Sequence, residues 1–471
     1  MRSTVSSLPA GRCGRITLIA ASLLLCLITW MFWYAANSDQ DNIPPIFTQL
    51  IPAGHATCAS ATVFECSSCL EQHFLSSNQS ESSPSWTFDY HRDGQNEGLH
   101  QEQCEIAFPG LFEDVKQGLF HWKTVGRITK STLDQVPLQN GMTRAMIHSG
   151  NLYILASKSK GEDHRRKILA VLSSMHRALA AAGEERHTLP DIEFIFSIED
   201  KASDITSSNT APLWVLARKA TEKSFFLLPD FGFWAWDNII EGQNNEIGPY
   251  DEVVSQALAV EQDLPFAAKS PQLVWRGKLS FAPKLRRALL DISRDQPWSD
   301  VKQINWRNPH TYLSMSDHCT YQFIAHVEGR SYSASLKYRQ ACNSVLIAHQ
   351  LQYIQHHHYL LVPSGPHQNY VQVERDFSDL PMKIQELIAN PAKAESIASN
   401  SVKTFRERYL TMAAEACYWR ALWRGYGDVS EAANLWHESV TGEKQRRGRR
   451  YETFVLLSSE EMLDFDSALP S

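Results

Sequence analysis

The sequence predicts an α/β fold of two lobes behind an N-terminal membrane-spanning helix, on three observations. An uninterrupted apolar run of 21 residues occupies Ile16 to Ala36. Beyond about residue 111, apolar strand-like segments alternate with amphipathic helical ones, the pattern of a mostly parallel sheet with crossover helices. Between residues 321 and 376 a strand, a Gly-Arg-Ser turn, a helix and a second strand follow as a βαβ unit.

At helical rise the Ile16 to Ala36 run is about 30 Å long, enough to cross a bilayer core. It ends in Trp30, Phe32, Trp33 and Tyr34, an interfacial aromatic belt rather than the small-residue cleavage site of a secretory leader. Arg2, Arg12 and Arg15 precede the span, while Asp39 and Asp41 follow it. The positive-inside rule therefore leaves residues 1–15 in the cytoplasm and the rest of the chain in a lumen. The expectation is a single-pass type II protein of the secretory pathway, in the Golgi or endoplasmic reticulum, held to the lipid bilayer through residues 16–36. Of the nine cysteines, Cys58, Cys66, Cys69, Cys104, Cys319, Cys342 and Cys417 fall on the lumenal side, where disulfides persist. The Cys66-x-x-Cys69 pair has no second pair to complete a zinc site, so structural disulfides are expected there. Asn78-Gln79-Ser80 is a glycosylation sequon in a polar, Ser-rich segment.

The 471 residues are 43% hydrophobic and 21% charged, which excludes disorder throughout. Forty-five Lys and Arg against 52 Asp and Glu give a formal charge of -7. A nucleic-acid partner is thereby disfavoured, because it demands a strong positive field.

Residues 37–110, with Pro44, Pro45, four cysteines and the Ser76 to Ser85 run, are expected to form a stem. An N-terminal lobe is placed at 111–268. In it Leu152 to Ala156 is a strand, Arg165 to Ala182 an amphipathic helix, and Ile192 to Ile198 a buried strand ending at Glu199 and Asp200. A C-terminal lobe is placed at 269–426. Its first strand runs into Arg276-Gly277-Lys278, and a helix follows from Pro283 to Ser293 with Pro in its first turn. YQFIAHV (321–327) is the next strand, Gly329 to Ser331 a turn, Tyr332 to Ala341 a helix, and Ser344 to Ala348 and Tyr370 to Val373 two more strands. Leu380 to Gly425 is almost wholly helical, closed by Gly425 and Gly427, and packs back across the lobes. Residues 427–471 are expected to be a tail, whose basic patch of Arg446, Arg447, Arg449 and Arg450 reads as a soluble tail or a protease-sensitive linker.

Asp200 ends an apolar strand, where α/β folds place reactive side chains, and partial burial would make it basic enough to take a proton from a hydroxyl. A loop cap explains its position equally. Arg276 and Lys278 follow another apolar strand, and Lys284, Arg286 and Arg287 sit on the next helix, so cations converge if the two form one unit. The helix start after Gly329 offers amide donors to an anion, with Ser331 and Ser333 hydroxyls and Lys337 nearby; a plain helix cap is the simpler reading. His356-His357-His358 lies on an extended segment without a carboxylate at ligand spacing, so no metal site is expected there. No apolar strand is followed by Asp-x-Asp, since Asp39/Asp41 lies in the stem and Asp464/Asp466 in the tail. No Gly-x-Ser-x-Gly nucleophile elbow occurs.

Several of these segments together resemble glycosyltransferase family 90, the capsule-associated type that includes protein O-glucosyltransferases and a fungal capsule xylosyltransferase. They are Leu189 to Asp200, Phe231 to Asp237, Trp275-Arg276-Gly277, Asp317-His318-Cys319, Gly329 to Ile347 and Glu415 to Trp419. The resemblance runs from about residue 120 to 426. It implies a GT-B arrangement, two Rossmann-like lobes facing a cleft, the first on the acceptor side and the second binding the donor. It also implies inverting, metal-independent transfer of glucose or xylose from a UDP-sugar to a protein or polysaccharide hydroxyl, with no cofactor. Asp200 takes the place of the family's catalytic carboxylate. The donor-binding positions fall on Arg276, Lys278, Lys284 or Arg286, and the turn of Arg330, Ser331, Tyr332, Ser333, Ala334 and Ser335, with Lys337 beside it. Cys319 and Cys342 match a family disulfide, and Cys417 matches a cysteine whose partner here would be Cys66 or Cys69. Ser335 stands where family members commonly carry Arg, and Lys201 where they carry Pro.

Two other readings stand beside this one: a relative that binds carbohydrate without turnover, and a glycoside hydrolase. The hydrolase needs two carboxylates flanking one bond, and adjacent Glu199 and Asp200 point to opposite sides of a strand.

Overall fold

The structure is a computed structural model that describes residues 86–201, 211–236, 247–305, 308, 311–438 and 442–467. All of these belong to one compact unit, Phe64–Ser471. The expected cytoplasmic tail, the span at 16–36, most of the stem, Cys58, Cys66, Cys69 and the Asn78 sequon lie outside the described residues. Among the described residues no helix is long and apolar enough to cross a membrane.

The last part of the expected stem is already core. Helix α1 (Gln101–Ala107) buries Cys104 and Ala107, and Phe108 and Leu111 after it are solvent-free. Helix α2 (Glu113–Val125) follows, and then strands β1 (Met142–His148) and β2 (Asn151–Lys158), an antiparallel hairpin. The turn puts Ser149 at φ 48° and Gly150 at φ 69°, the two left-handed positions that match hairpin twist. β1 is largely buried on both faces, yet Thr143 and Arg144 interrupt the apolar run by which a buried strand is recognised. Helix α3 (Glu162–Ala180) packs its Ile168, Val171, Leu172, Met175 and Leu179 side into the core. Strand β3 (Ile192–Ser197), buried at every position, pairs antiparallel with β1. Strands β4 (Leu213–Val215) and β5 (Phe226–Leu227) continue the sheet in parallel. The sheet is therefore mixed, not mostly parallel, because the hairpin reverses the chain on one side of β3.

The second sheet is parallel throughout. Strand β6 (Ser270–Gly277) leads through helix α4 (Pro283–Ser293) to β7 (Ser299–Gln303). Strand β8 (Tyr321–His326), helix α5 (Leu336–Gln340), β9 (Val345–His349) and β10 (Val371–Val373) follow, in the order β10-β9-β8-β6-β7. The chain moves outward from β6 in one direction and from β8 in the other. The carboxyl ends of these two strands consequently border the crevice in which doubly wound sheets take ligands. The Cys319–Cys342 disulfide, with Cα atoms 4.8 Å apart, joins the entrance of β8 to the end of α5. Helix α5 starts four residues later than expected, because Gly329 N–H closes a tight turn on Tyr332 O at 3.2 Å.

The helical tail of the second lobe returns to the first. Helices α6 (Leu380–Ala389) and α7 (Pro391–Thr404) precede a π-turn at Phe405–Tyr409 and α8 (Met412–Val429). Tyr418 Oη donates to Leu227 O at 2.9 Å, and Trp419 Nε1 to Ser174 Oγ at 2.7 Å. α8 runs through both glycines expected to close it. An added Cβ would lie 2.5 Å from Val115 Cγ1 at Gly425 and 2.6 Å from Pro190 Cγ at Gly427, so these glycines permit close packing instead of a stop. Cys417 on α8 is bonded to Cys104 on α1, not to Cys66 or Cys69.

The C-terminal segment is not a tail. Strands β11 (Arg449–Arg450) and β12 (Asp464–Asp466) both pair with β2, completing seven strands in the first sheet among the described residues. Arg447, read as part of a solvated basic patch, is buried and paired with Glu193 at 2.8 Å.

Candidate active site

Helix α4 is set by Pro283 in its first turn, which points Arg286 back at the ends of β6 and β8. Its Nη1 donates to Lys278 O at 2.6 Å and its Nε to Glu328 O at 3.1 Å. One guanidinium thus ties together the two loops that border the crevice. Arg286 is 6% exposed, and among the described residues no carboxylate is within ion-pair distance of it. Burial alone pulls its pKa down to about 10. A buried cation without a counter-ion is costly, and an anionic ligand removes that cost. The Gly329 turn runs alongside it: a Cβ there would lie 3.4 Å from Arg286 Nη2 and 3.2 Å from Tyr332 O.

The other expected cations separate into structural and exposed groups. Arg276 Nη2 meets Asp300 Oδ2 at 2.7 Å, and Tyr321 and Lys302 bind the same carboxylate at 2.6 Å each. Burial works against the Asp300 charge, but hydrogen bonds from Lys302, Tyr321 and Arg276 outweigh it and hold the carboxyl below its ordinary range. Arg276 Nε is buried and has no partner among the described residues. Lys337 turns inward: its Nζ donates to Asp230 Oδ1 at 2.6 Å and to Ala334 O at 3.1 Å. It does not serve as a free phosphate cation, and the five-residue α5 carries too little of a dipole to stand in for one. Lys278 Nζ lies 6.0 Å from the ring centroid of Phe281, while Lys284 and Arg330 are exposed.

The 330–335 turn is otherwise buried. Ser331 Oγ has no partner among the described residues, and Ser333 and Ser335 share a hydrogen bond at 2.9 Å. Tyr332 is held well above the ordinary phenol pKa by burial first, then by the charges of Asp230 and Asp200. Asp200, half-buried beyond the end of β3, is thus within electrostatic range of the second lobe's turn. Glu199 faces elsewhere, its Oε1 3.5 Å from His164 Nε2.

Four residues of this region carried no signal in the sequence. Asp230 neutralises Lys337, and Glu328 receives the Gln352 and Tyr353 amides at 2.7 and 2.8 Å. Arg339 is buried with no carboxylate partner among the described residues, its pKa pushed down to about 9 by burial and then by the Arg286 charge. Phe281 stands half-exposed at the crevice mouth. The histidine run lies on a turn and not on an extended segment, with all three rings buried. No cluster of three or more His, Cys, Asp or Glu side chains that could hold a metal occurs among the described residues.

The family model for Glycosyl transferase family 90 matches residues 100–441. The chain belongs to that family. Among its family 90 relatives, the O-glucosyltransferase LpsA of Dichelobacter nodosus is 31% identical over 143 residues, 29% of this chain and 44% of the relative. Protein O-glucosyltransferase 1 of Rattus norvegicus is 23% identical over 256 residues, 50% of this chain and 62% of the relative. The O-glucosyltransferase rumi of Drosophila melanogaster is 25% identical over 263 residues, 51% of this chain and 61% of the relative. The chain spans between 44% and 62% of the length of these relatives. The family 90 match includes all of α1, which the sequence suggested was stem, in keeping with the burial of Cys104 and Ala107.

Proposed function

We propose that this family 90 protein is a lumenal, membrane-anchored glycosyltransferase. It moves glucose or xylose from a UDP-sugar to a hydroxyl of a protein or glycan, with inversion and without a metal. The two sheets act as the lobes of a GT-B arrangement, and residues 16–36 anchor the chain in the bilayer of the Golgi or endoplasmic reticulum. The names of the relatives favour glucose as the sugar.

Two observations support the reading. Asp200 of the first lobe is within electrostatic range of Tyr332, and Arg286, a buried cation with no carboxylate in ion-pair distance among the described residues, lies beside Gly329 three residues earlier in the same turn. In this reading Asp200 removes the proton of the attacking hydroxyl, and the negative charge leaving with UDP is received by Arg286 and by donors of the turn, among them the unpartnered Ser331 hydroxyl. General-base help is worth about 10²- to 10⁴-fold, so Asp200→Asn loses transfer by that factor and retains UDP binding. Radiolabelled transfer from UDP-glucose and UDP-xylose, with UDP binding by calorimetry on the same preparations, tests both halves. Full activity of the Asn variant overturns the assignment of the base. Binding of UDP by the unaltered protein without transfer to any acceptor favours a non-catalytic relative, the reading that Ser335 in place of Arg suggests.

A further inference from the structure

Phe281 closes the short turn Leu279–Phe281 between β6 and α4 and leaves 45% of its surface in solvent. Its ring is not part of either hydrophobic core of the second lobe. It does have a definite setting. The Arg286 guanidinium carbon lies 5.6 Å from the ring centroid, Lys278 Nζ lies 6.0 Å from it, and a Cβ at Gly329 would be 3.8 Å from Phe281 Cβ. The ring therefore stands at the mouth of the crevice between β6 and β8, directly next to the uncompensated guanidinium and to the Gly329 turn.

A flat apolar face adjoining a buried cation is complementary to a ligand with a planar ring at one end and an anionic group next to it. We infer that Phe281 is the stacking platform for the nucleobase of a nucleoside diphosphate, whose phosphates extend toward Arg286 and the Gly329 turn. A base of any kind presents a π-face to such a ring, and Arg286 and Lys278 already hold the ring by cation–π contacts at 5.6 and 6.0 Å. Stacking covers the exposed ring, and the diphosphate supplies the counter-ion that Arg286 lacks, so a single ligand accounts for both features. The inference rests on the nucleotide-sugar reading and adds a residue to it.

Binding of UDP and of inorganic pyrophosphate by the purified full-length protein separates the two ideas. Phe281→Ala is expected to weaken UDP about tenfold or more, the scale of base–aromatic stacking, and to leave pyrophosphate within twofold. Phe281→Trp is expected to restore UDP affinity, and because the position is solvent-facing both variants are expected to unfold at the temperature of the unaltered protein. If Phe281→Ala binds UDP normally, or weakens UDP and pyrophosphate alike, the platform is overturned while the donor site stands. If the unaltered protein binds neither probe, the donor reading itself fails.

Discussion

Lys337 and Asp230 form an ion pair of 2.6 Å whose side chains are 1% and 0% exposed, and it bridges the two lobes. Asp230 follows β5 in the first lobe and also receives Gly232 N–H at 2.8 Å and Gln355 Nε2 at 3.1 Å. Lys337 comes from α5 in the second, and the adjacent Tyr338 Oη donates to Gly232 O at 2.9 Å. Removing one member strands a buried charge, which typically costs 3–5 kcal/mol, whereas an apolar pair of similar volume is often tolerated. Lys337→Met and Asp230→Leu should each destabilise by about 3–5 kcal/mol, and the double variant should recover most of the loss. Urea unfolding of the three variants measures this, and simple additivity would show that the pair is not what holds the lobes.

Arg286 and Arg276 should separate function from stability. Arg286→Lys retains a charge but cannot span Lys278 O and Glu328 O with one planar group. The cation is then misplaced for the donor's phosphates, and charge-assisted hydrogen bonds to a ligand contribute roughly 1.5–3 kcal/mol, so kcat/KM for the donor should fall about 10- to 100-fold, more than the lost loop ties alone account for. Arg276→Ala, which leaves Asp300 facing only Tyr321 and Lys302, should act first on stability. Steady-state kinetics beside thermal unfolding distinguishes the two, and a lowered melting temperature for Arg286→Lys with normal kcat/KM would remove Arg286 from the site.

The two disulfides close very different lengths of chain. Cys104 and Cys417 are separated by 313 residues, Cys319 and Cys342 by 23. On the chain-entropy account, removing the long link by a double Cys→Ala change should cost about 2 kcal/mol more than removing the short one. Chemical denaturation of the two double variants measures the difference. Equal costs would mean that local packing around each bridge, rather than the restriction of the unfolded chain, sets its contribution.

The legible parts of the sequence were those in which local pattern and tertiary role agree. β3 is apolar because it is buried at all positions, and α4 begins with Pro283 because its first amide needs no partner. β1 gives no strand signal because Thr143 and Arg144 interrupt its apolar run, and only the folded sheet brings Ser157 and Glu193 to them; β11 gives none because its arginines read as a solvated face. Candidate-site residues divide the same way. The strand end before Asp200 and the start of the helix that carries Lys284 and Arg286 are read directly from the sequence. The inward turn of Lys337 was not, since only the folded chain brings Asp230 from 107 residues away. The partner of Cys417 could not be deduced either, because spacing does not determine connectivity.

Acid should unfold this protein through its histidines. His318, His326, His349, His356, His357 and His358 are all buried, and burial drives each below the usual imidazole pKa: to about 3 for His318, His356 and His358, to about 4 for His349, and well below for the others. Between pH about 6.5 and those values the unfolded chain takes up protons that the folded chain refuses, so stability present above pH 6.5 is lost as the pH falls. Glu97 opposes this trend. Burial raises its pKa to about 7 despite Arg177 at 3.0 Å, so the folded chain holds a proton from about pH 4.5 to 7 that the unfolded chain releases. Burial raises Glu328 and Glu415 above the ordinary carboxylate range as well, so three carboxylates stand against six histidines and the net effect is a loss on acidification. Both ring nitrogens of His357 lack a hydrogen-bond partner among the described residues, so His357→Phe removes the titration without breaking a hydrogen bond. Between pH 6.5 and 5 this variant should recover about 2 kcal/mol of the acid-induced loss, one pKa unit being worth about 1.4 kcal/mol. Denaturant unfolding at pH 7, 6 and 5 checks the slope and its reduction. A stability that is flat or rising toward pH 5 would show that these rings accept protons in the folded state.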